Sequence, residues 1–139
     1  MRIEVDKYCF VCGPENPEGL KATFECGEGK ATARYFAREE HQGYMGISHG
    51  GILAALLDEA MVYAAATLGR WVATAEMTVR YTKPAPTGQW LQVRAEVVQH
   101  RRKLVEAMAE IASEDGTVLA SATGKLIQGR ELTDEERRA

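Results

Sequence analysis

A chain of 139 residues with 45% hydrophobic and 27% charged side chains has room for one globular domain around a single core, residues 1–139, and not for a catalytic domain plus an accessory one. Its formal net charge of -3 gives no general attraction to phosphate polyanions, so no nucleic-acid partner is expected. MRIEVDKY lacks the apolar stretch of a secretory leader, and the one strongly apolar segment, Gly50 to Gly69, is interrupted by Asp58 and Glu59, so no membrane span is expected. Three cysteines, an odd number, argue against a closed disulfide framework and point to a reducing compartment, the cytoplasm.

Residues 1–20 read as an opening segment whose second half, CFVCGPENPEGL, is dense in turn formers and keeps no period. From Lys21 to Ala37 two short strands are expected, broken near Gly27-Glu28-Gly29, with Ala31, Ala33 and Tyr35 alternating against Thr32, Arg34 and Phe36. The glycine-rich HQGYMGISHGG then leads into ILAALLDEAMVYAAATLG, rich in Ala, Leu and Met and free of proline, which predicts one long helix. Ser48 is the expected N-cap, and Gly69 is placed to end the helix in a left-handed conformation. Apolar residues occupy nearly every face, so the helix is expected to be buried on most sides.

Strands follow at Val72 to Thr82, Trp90 to His100, Lys103 to Ser113 and Val118 to Leu126, with Asp115-Gly116 as a hairpin signal. Residues 128–139 are assigned to a charged tail, in which Thr133 and Glu136 have capping-box spacing. Strands, one helix and a run of antiparallel strands describe an α+β domain with the helix packed on one curved sheet.

Chemistry concentrates at the helix start. Gly50 and Gly51 lack Cβ atoms and let a ligand approach the backbone, where the first helical N–H groups have no intrahelical partner and suit a carbonyl oxygen gaining charge. Two glycines also serve simply to turn a loop into a helix. Asp58 adds weight to the first reading, because its helical neighbours Ala54, Ala55, Met61 and Val62 are apolar and an unpaired carboxylate there is costly. Glu59 is in the same position with Ala55, Leu56, Val62 and Tyr63, and periodicity alone does not separate the two acids.

HQGYMGISHGGILAALLDEAM followed by TAEMTVRYTKP resembles the signature of hotdog-fold thioesterases of the phenylacetic-acid-degradation and THEM type, over roughly Tyr8 to Ile127. The resemblance implies a hotdog fold, one long central helix wrapped by a curved antiparallel sheet, and hydrolysis of an acyl-CoA substrate. It makes Asp58 the catalytic carboxylate, Gly50 N–H the oxyanion donor, with Gly51 beside it, His49 a residue that shapes the site and Thr74 a hydroxyl that holds water or the acid. Some relatives carry Asn where this chain has Gly43, and Gln42 is the candidate to substitute for it. Hotdog hydratases and non-catalytic acyl-CoA sensors are the rival readings.

Eight residues separate Gly50 from Asp58, ~12 Å along a helix, too far for both to act on one carbonyl. If they serve one site they come from two subunits, in a homodimer or dimer of dimers, with antiparallel helices as the resemblance also implies. Arg101, Arg102 and Lys103 fall at an expected turn, where they suit CoA phosphates or simply solvent, with Lys83 and Lys125 as weaker candidates. Cys9 and Cys12 have the spacing of half a zinc site, but with only Cys26, His41, His49 and His100 as further Cys or His ligands, no metal is expected and no organic cofactor is called for.

Overall fold

The structure, a computed structural model, describes residues 7–137. Lys7 to Leu20 is a succession of turns, and regular structure starts with β1 (Thr23–Gly27) and β2 (Lys30–Phe36). Glu28 and Gly29 join them, both with positive φ, the geometry that matches the twist of a two-residue hairpin. Burial alternates along β2 as its sequence predicts, with Ala31, Ala33 and Tyr35 inward.

A short 3-10 turn (Glu39–His41) precedes α1 (Gly50–Ala66). Leu53, Leu56, Leu57, Ala60, Met61 and Ala64 are buried, and truncating Leu56 or Leu57 to alanine costs about 2–5 kcal/mol. Gly51 alone among the helix residues is exposed, and Ala54, Ala55, Asp58 and Val62 form a half-buried stripe below it. The N-cap is His49, not Ser48: the imidazole Nδ1 accepts from Gly51 N at 2.9 Å, while Ser48 turns away and spends its backbone N–H on Ala85 O. Gly69, at φ +100, reverses the chain after the helix as expected.

Four strands follow: β3 (Arg70–Tyr81), β4 (Trp90–Arg101), β5 (Leu104–Ser113) and β6 (Val118–Glu131). With the first two they form one sheet of order β1-β2-β4-β5-β6-β3, antiparallel throughout, and α1 packs on its inner face. This is the hotdog arrangement that the resemblance implies. β3 is an edge strand, and its pairing with β6 slips by one residue between Thr74 and Glu76.

β6 runs past Leu126, so residues 128–131 belong to the sheet and not to a tail. Gln128 faces inward there, a polar residue in an apolar phase, with its amide oxygen 3.2 Å from His100 Nε2. Beyond it the capping box forms: Thr133 N donates to Glu136 Oε2 and Glu136 N to Thr133 Oγ1. Glu136 also receives Arg130 and Trp71 Nε1, and Arg137 reaches Gly69 O, so this turn is docked on the corner between α1 and β3. Among the described residues no helix is long and apolar enough to cross a membrane.

Candidate active site

His49 has extended backbone angles, so its carbonyl points along α1 and accepts from Ile52 N and Leu53 N at 3.0 and 3.2 Å. With Gly51 N taken by the imidazole, the first-turn donor left without an intrahelical partner is Gly50 N–H. His49 must accept through Nδ1 to make this cap, which places its ring proton on Nε2. The cap therefore selects the donor as well as starting the helix.

The loop before it is held from behind. His49 N donates to His41 O, Gly43 N to Ile47 O, and a Cβ on Gly43 would lie 3.2 Å from His49 Cα. His41 is buried between Arg38, whose guanidinium donates to Nε2, and the Tyr35 hydroxyl at Nδ1. Burial, then the Arg38 charge, hold the His41 pKa below the usual imidazole value, so a neutral ring anchors the loop. Tyr81, at the far end of β3, lies over Gly50 and donates to its carbonyl at 2.8 Å. The sequence offers Tyr35 only as a residue of an alternating strand and His41 only as a spare metal ligand, so the supporting roles of Tyr35, Arg38, His41 and Tyr81 are not legible in it; Tyr81 stands inside the recognised TAEMTVRYTKP segment, but nothing in its spacing marks its partner.

The two acids part company in three dimensions. Asp58 faces β3, where Thr74 Oγ1 donates to its Oδ1 at 2.6 Å, leaving Oδ2 for other chemistry. Glu59 points to the opening segment, where Cys9 Sγ donates to its Oε2 at 3.1 Å. Thr74 and Tyr81 thus hold the acid and the donor from one strand, at opposite ends of it.

Gln42 spends its Oε1 on Gly46 N at 2.9 Å, closing the loop over which Tyr44 and Met45 stand 86% and 92% exposed. Arg102 and Lys103 form the β4–β5 turn, Arg102 at positive φ. No hydrogen bond or ion pair joins Arg101, Arg102 or Lys103 to Asp58 or Gly50 among the described residues. The turn does occupy Thr74's end of the sheet: Thr74 pairs with Leu126 and Leu126 with Val105, two strand spacings or ~10 Å across. Lys83 lies elsewhere, its backbone N–H bonded to Leu119 O, while Lys125, next to Leu126 and paired with Glu76 on β3, stands at Thr74's end but is exposed on the other face of the sheet.

The sequence profile of the thioesterase superfamily matches residues 45–120, the stretch that carries His49, Gly50, Gly51, Asp58, Glu59, Thr74, Tyr81 and the Arg101–Lys103 turn. The chain belongs to the thioesterase superfamily. Human acyl-coenzyme A thioesterase 13 is 30% identical to this superfamily member over 105 residues, 73% of this chain and 70% of that one. A crystal structure of another thioesterase superfamily protein superposes with TM-score 0.81 at 28% identity over 87% of this chain, which spans only 60% of that protein's length. A hypothetical thioesterase protein from Streptococcus pneumoniae TIGR4, solved with coenzyme A, shares the fold at TM-score 0.77 and 19% identity, covering 81% of this chain and 91% of that one. Its structure is also known with alanine in place of an aspartate and of a threonine sixteen residues apart.

Of the Cys and His ligands weighed for a metal with Cys9 and Cys12, none joins them. Cys26 is buried in the core, His41 and His49 serve the loop and the cap, and His100 bonds Arg102 O and Gln128. Their neighbours are Glu59 and Tyr63 instead.

Proposed function

We propose that this chain is an acyl-CoA thioesterase, hydrolysing a thioester to a carboxylic acid and free CoA at a site that two copies of the subunit build together. The observation that carries the reading is the Asp58 carboxylate on the half-buried stripe of α1, oriented by the Thr74 hydroxyl at 2.6 Å. Human acyl-coenzyme A thioesterase 13 and the CoA-bound S. pneumoniae protein support the substrate class. Asp58 and Thr74 also have the sixteen-residue spacing of the two positions altered in that protein.

Gly50 N–H and Asp58 lie ~12 Å apart on one helix, so a single chain does not supply both to one carbonyl. Two chains related by a two-fold axis do, with antiparallel helices exchanging their stripes and the bare edge of β3 and the exposed Tyr44 and Met45 close to the contact. Gly50 N–H then takes the carbonyl oxygen as it gains charge. Asp58 of the facing copy removes a proton from the water adding to the carbonyl carbon, or adds there itself to form an acyl anhydride that a water then hydrolyses, returning the carboxylate. In either route the C–S bond breaks and the thiolate leaves, taking up a proton as free CoA. His49 and Gly51 shape the approach, Gln42 keeps the loop closed beside it, and Arg101, Arg102 and Lys103 meet the CoA phosphates from Thr74's end of the sheet. Reduced thiols at Cys9 and Cys12 fit work in the cytoplasm.

The test is release of free thiol across a panel of acyl-CoAs, compared with Asp58→Asn. The reading expects hydrolysis that the variant loses. Ester bound and recovered intact would make the protein a sensor, and a product still carrying its thioester would make it a hydratase; both outcomes refute the proposal.

A further inference from the structure

The opening segment closes a tight loop around Cys9 and Cys12. Gly13 N donates to Cys9 O at 2.8 Å, and a Cβ on Gly13 would lie 2.3 Å from Cys9 N and 2.5 Å from Lys7 O, so the turn following the second thiol accepts only glycine. The turn presents both sulfurs to α1, and α1 answers with Glu59. The two Sγ atoms and a Glu59 carboxylate oxygen all lie within 4.8 Å of one another, all three residues half-buried. One helical turn on, the Tyr63 hydroxyl donates to Cys12 Sγ at 3.3 Å, and its ring stacks on Phe24 at 4.6 Å, closing one wall.

Packing alone does not account for the cluster. A half-buried carboxylate normally finds an arginine, a lysine or several good donors. Glu59 has none of these: among the described residues it makes no salt bridge, and its hydrogen-bond partner is a thiol, one of the weakest donors a protein has. Two sulfurs and a carboxylate converging from segments fifty residues apart are the donor set of a soft divalent cation. Tetrahedral zinc with Zn–S bonds of about 2.3 Å wants its sulfurs about 3.8 Å apart, within reach of small side-chain rotations here. Tyr63 is the outer-shell donor that a bound thiolate uses.

We infer that Cys9, Cys12 and Glu59 form a site for a zinc-class divalent metal, with the fourth coordination position left to water or an exogenous ligand. The metal would fasten the opening segment to α1 at the residue next to Asp58, on the opposite side from Thr74. Binding replaces the two thiol protons and the S–H···O contact with three metal–ligand bonds, and the released protons go to solvent. The site stands apart from the thioesterase reading, since Glu59 and Asp58 leave the helix in different directions.

The experiment uses untagged protein, reduced, stripped with a chelator and titrated anaerobically with Co²⁺. Thiolate-to-cobalt charge-transfer absorption should rise to a plateau at one ion per chain and be bleached by one equivalent of Zn²⁺. Cys12→Ser should remove a large part of the band. Glu59→Gln, which keeps the volume and the fold, should weaken binding by more than about tenfold, since even outer-shell losses reach that size. If Cys12→Ser does not fold, the Zn²⁺-dependent rise in Tm of wild type against Glu59→Gln gives the same comparison. Absence of the band at saturating Co²⁺, a band unchanged in Cys12→Ser, or unchanged affinity in Glu59→Gln would each overturn the inference.

Discussion

Mixed dimers give the sharpest test of a shared active site. Take Asp58→Asn as one parent: it keeps the volume and the bond from Thr74 but loses the ionisable function, and removal of a general base lowers turnover by about a hundred- to ten-thousandfold. Take Gly50→Val as the other. Gly50 has no positive φ, so the backbone accepts a side chain, but a Cβ there already lies 3.4 Å from the Tyr81 ring and the added methyls crowd the approach to the N–H. Loss of an oxyanion donor costs about a hundred- to a thousandfold. Each parent should therefore retain about 1% of wild-type activity or less. When equal amounts are co-refolded, random pairing puts half of the chains into heterodimers, each with one doubly defective site and one intact site, so activity should recover to about a quarter of wild type. Thiol release measured on the mixture, with heterodimers verified by native mass spectrometry, reads this directly. If one chain supplied both groups, every site in every species would carry a defect, and activity staying near 1% would refute the shared site.

Asp58→Asn should lose far more kcat than Glu59→Gln under saturating substrate; the reverse order would transfer the catalytic role to Glu59. Charge reversal at Arg101 and Arg102 should raise KM for CoA esters about tenfold while leaving KM for a small thioester without the nucleotide nearly unchanged, since phosphate pairing is remote from the reacting bond; equal effects would return the run to solvent. The Arg130 hydrogen bond, then Thr133 N–H, hold the Glu136 carboxyl down at about 2 from an ordinary 4.5. Its folded pKa is depressed, so the docked turn is fully stabilised above pH 4.5 and loses that support as pH falls through about 2. Trp71 fluorescence, with Trp71→Phe to subtract Trp90, should change in that window and not near neutrality.

The helix, its glycine-rich approach and the strand run after it were legible because Ala, Leu and Met crowd one segment and turn formers bound the others. The end of β6 was not, since Gln128 occupies an inward position and its partner His100 comes from another strand. Statistical preference favours serine as an N-cap, but Ser48 N is drawn to Ala85, and an imidazole one residue later does the capping. Asp58 and Glu59 share equally apolar helical neighbours, so periodicity leaves them level and the choice of Asp58 comes from the resemblance; the tertiary partners, Thr74 for one and Cys9 for the other, separate them physically. The carboxylate beside Cys9 and Cys12 was illegible for the same reason: metal-ligand spacing is read along the chain, and Glu59 arrives from fifty residues away.

Thr74 and Tyr81 are seven positions apart, an odd number that in a regular strand would send them to opposite faces. They both reach α1 because β3 carries one extra residue, Ala75, between Thr74 and Glu76, where β6 advances by a single step. A change in length by one residue normally inverts half a strand and destroys a fold. Ala75 is the place in β3 where a deletion instead restores regular alternation and leaves both side chains facing the helix, whereas an insertion or deletion between Met77 and Arg80 turns one of them outward. The length of this strand is therefore open to change at one position and closed along the rest of the span between its two working residues.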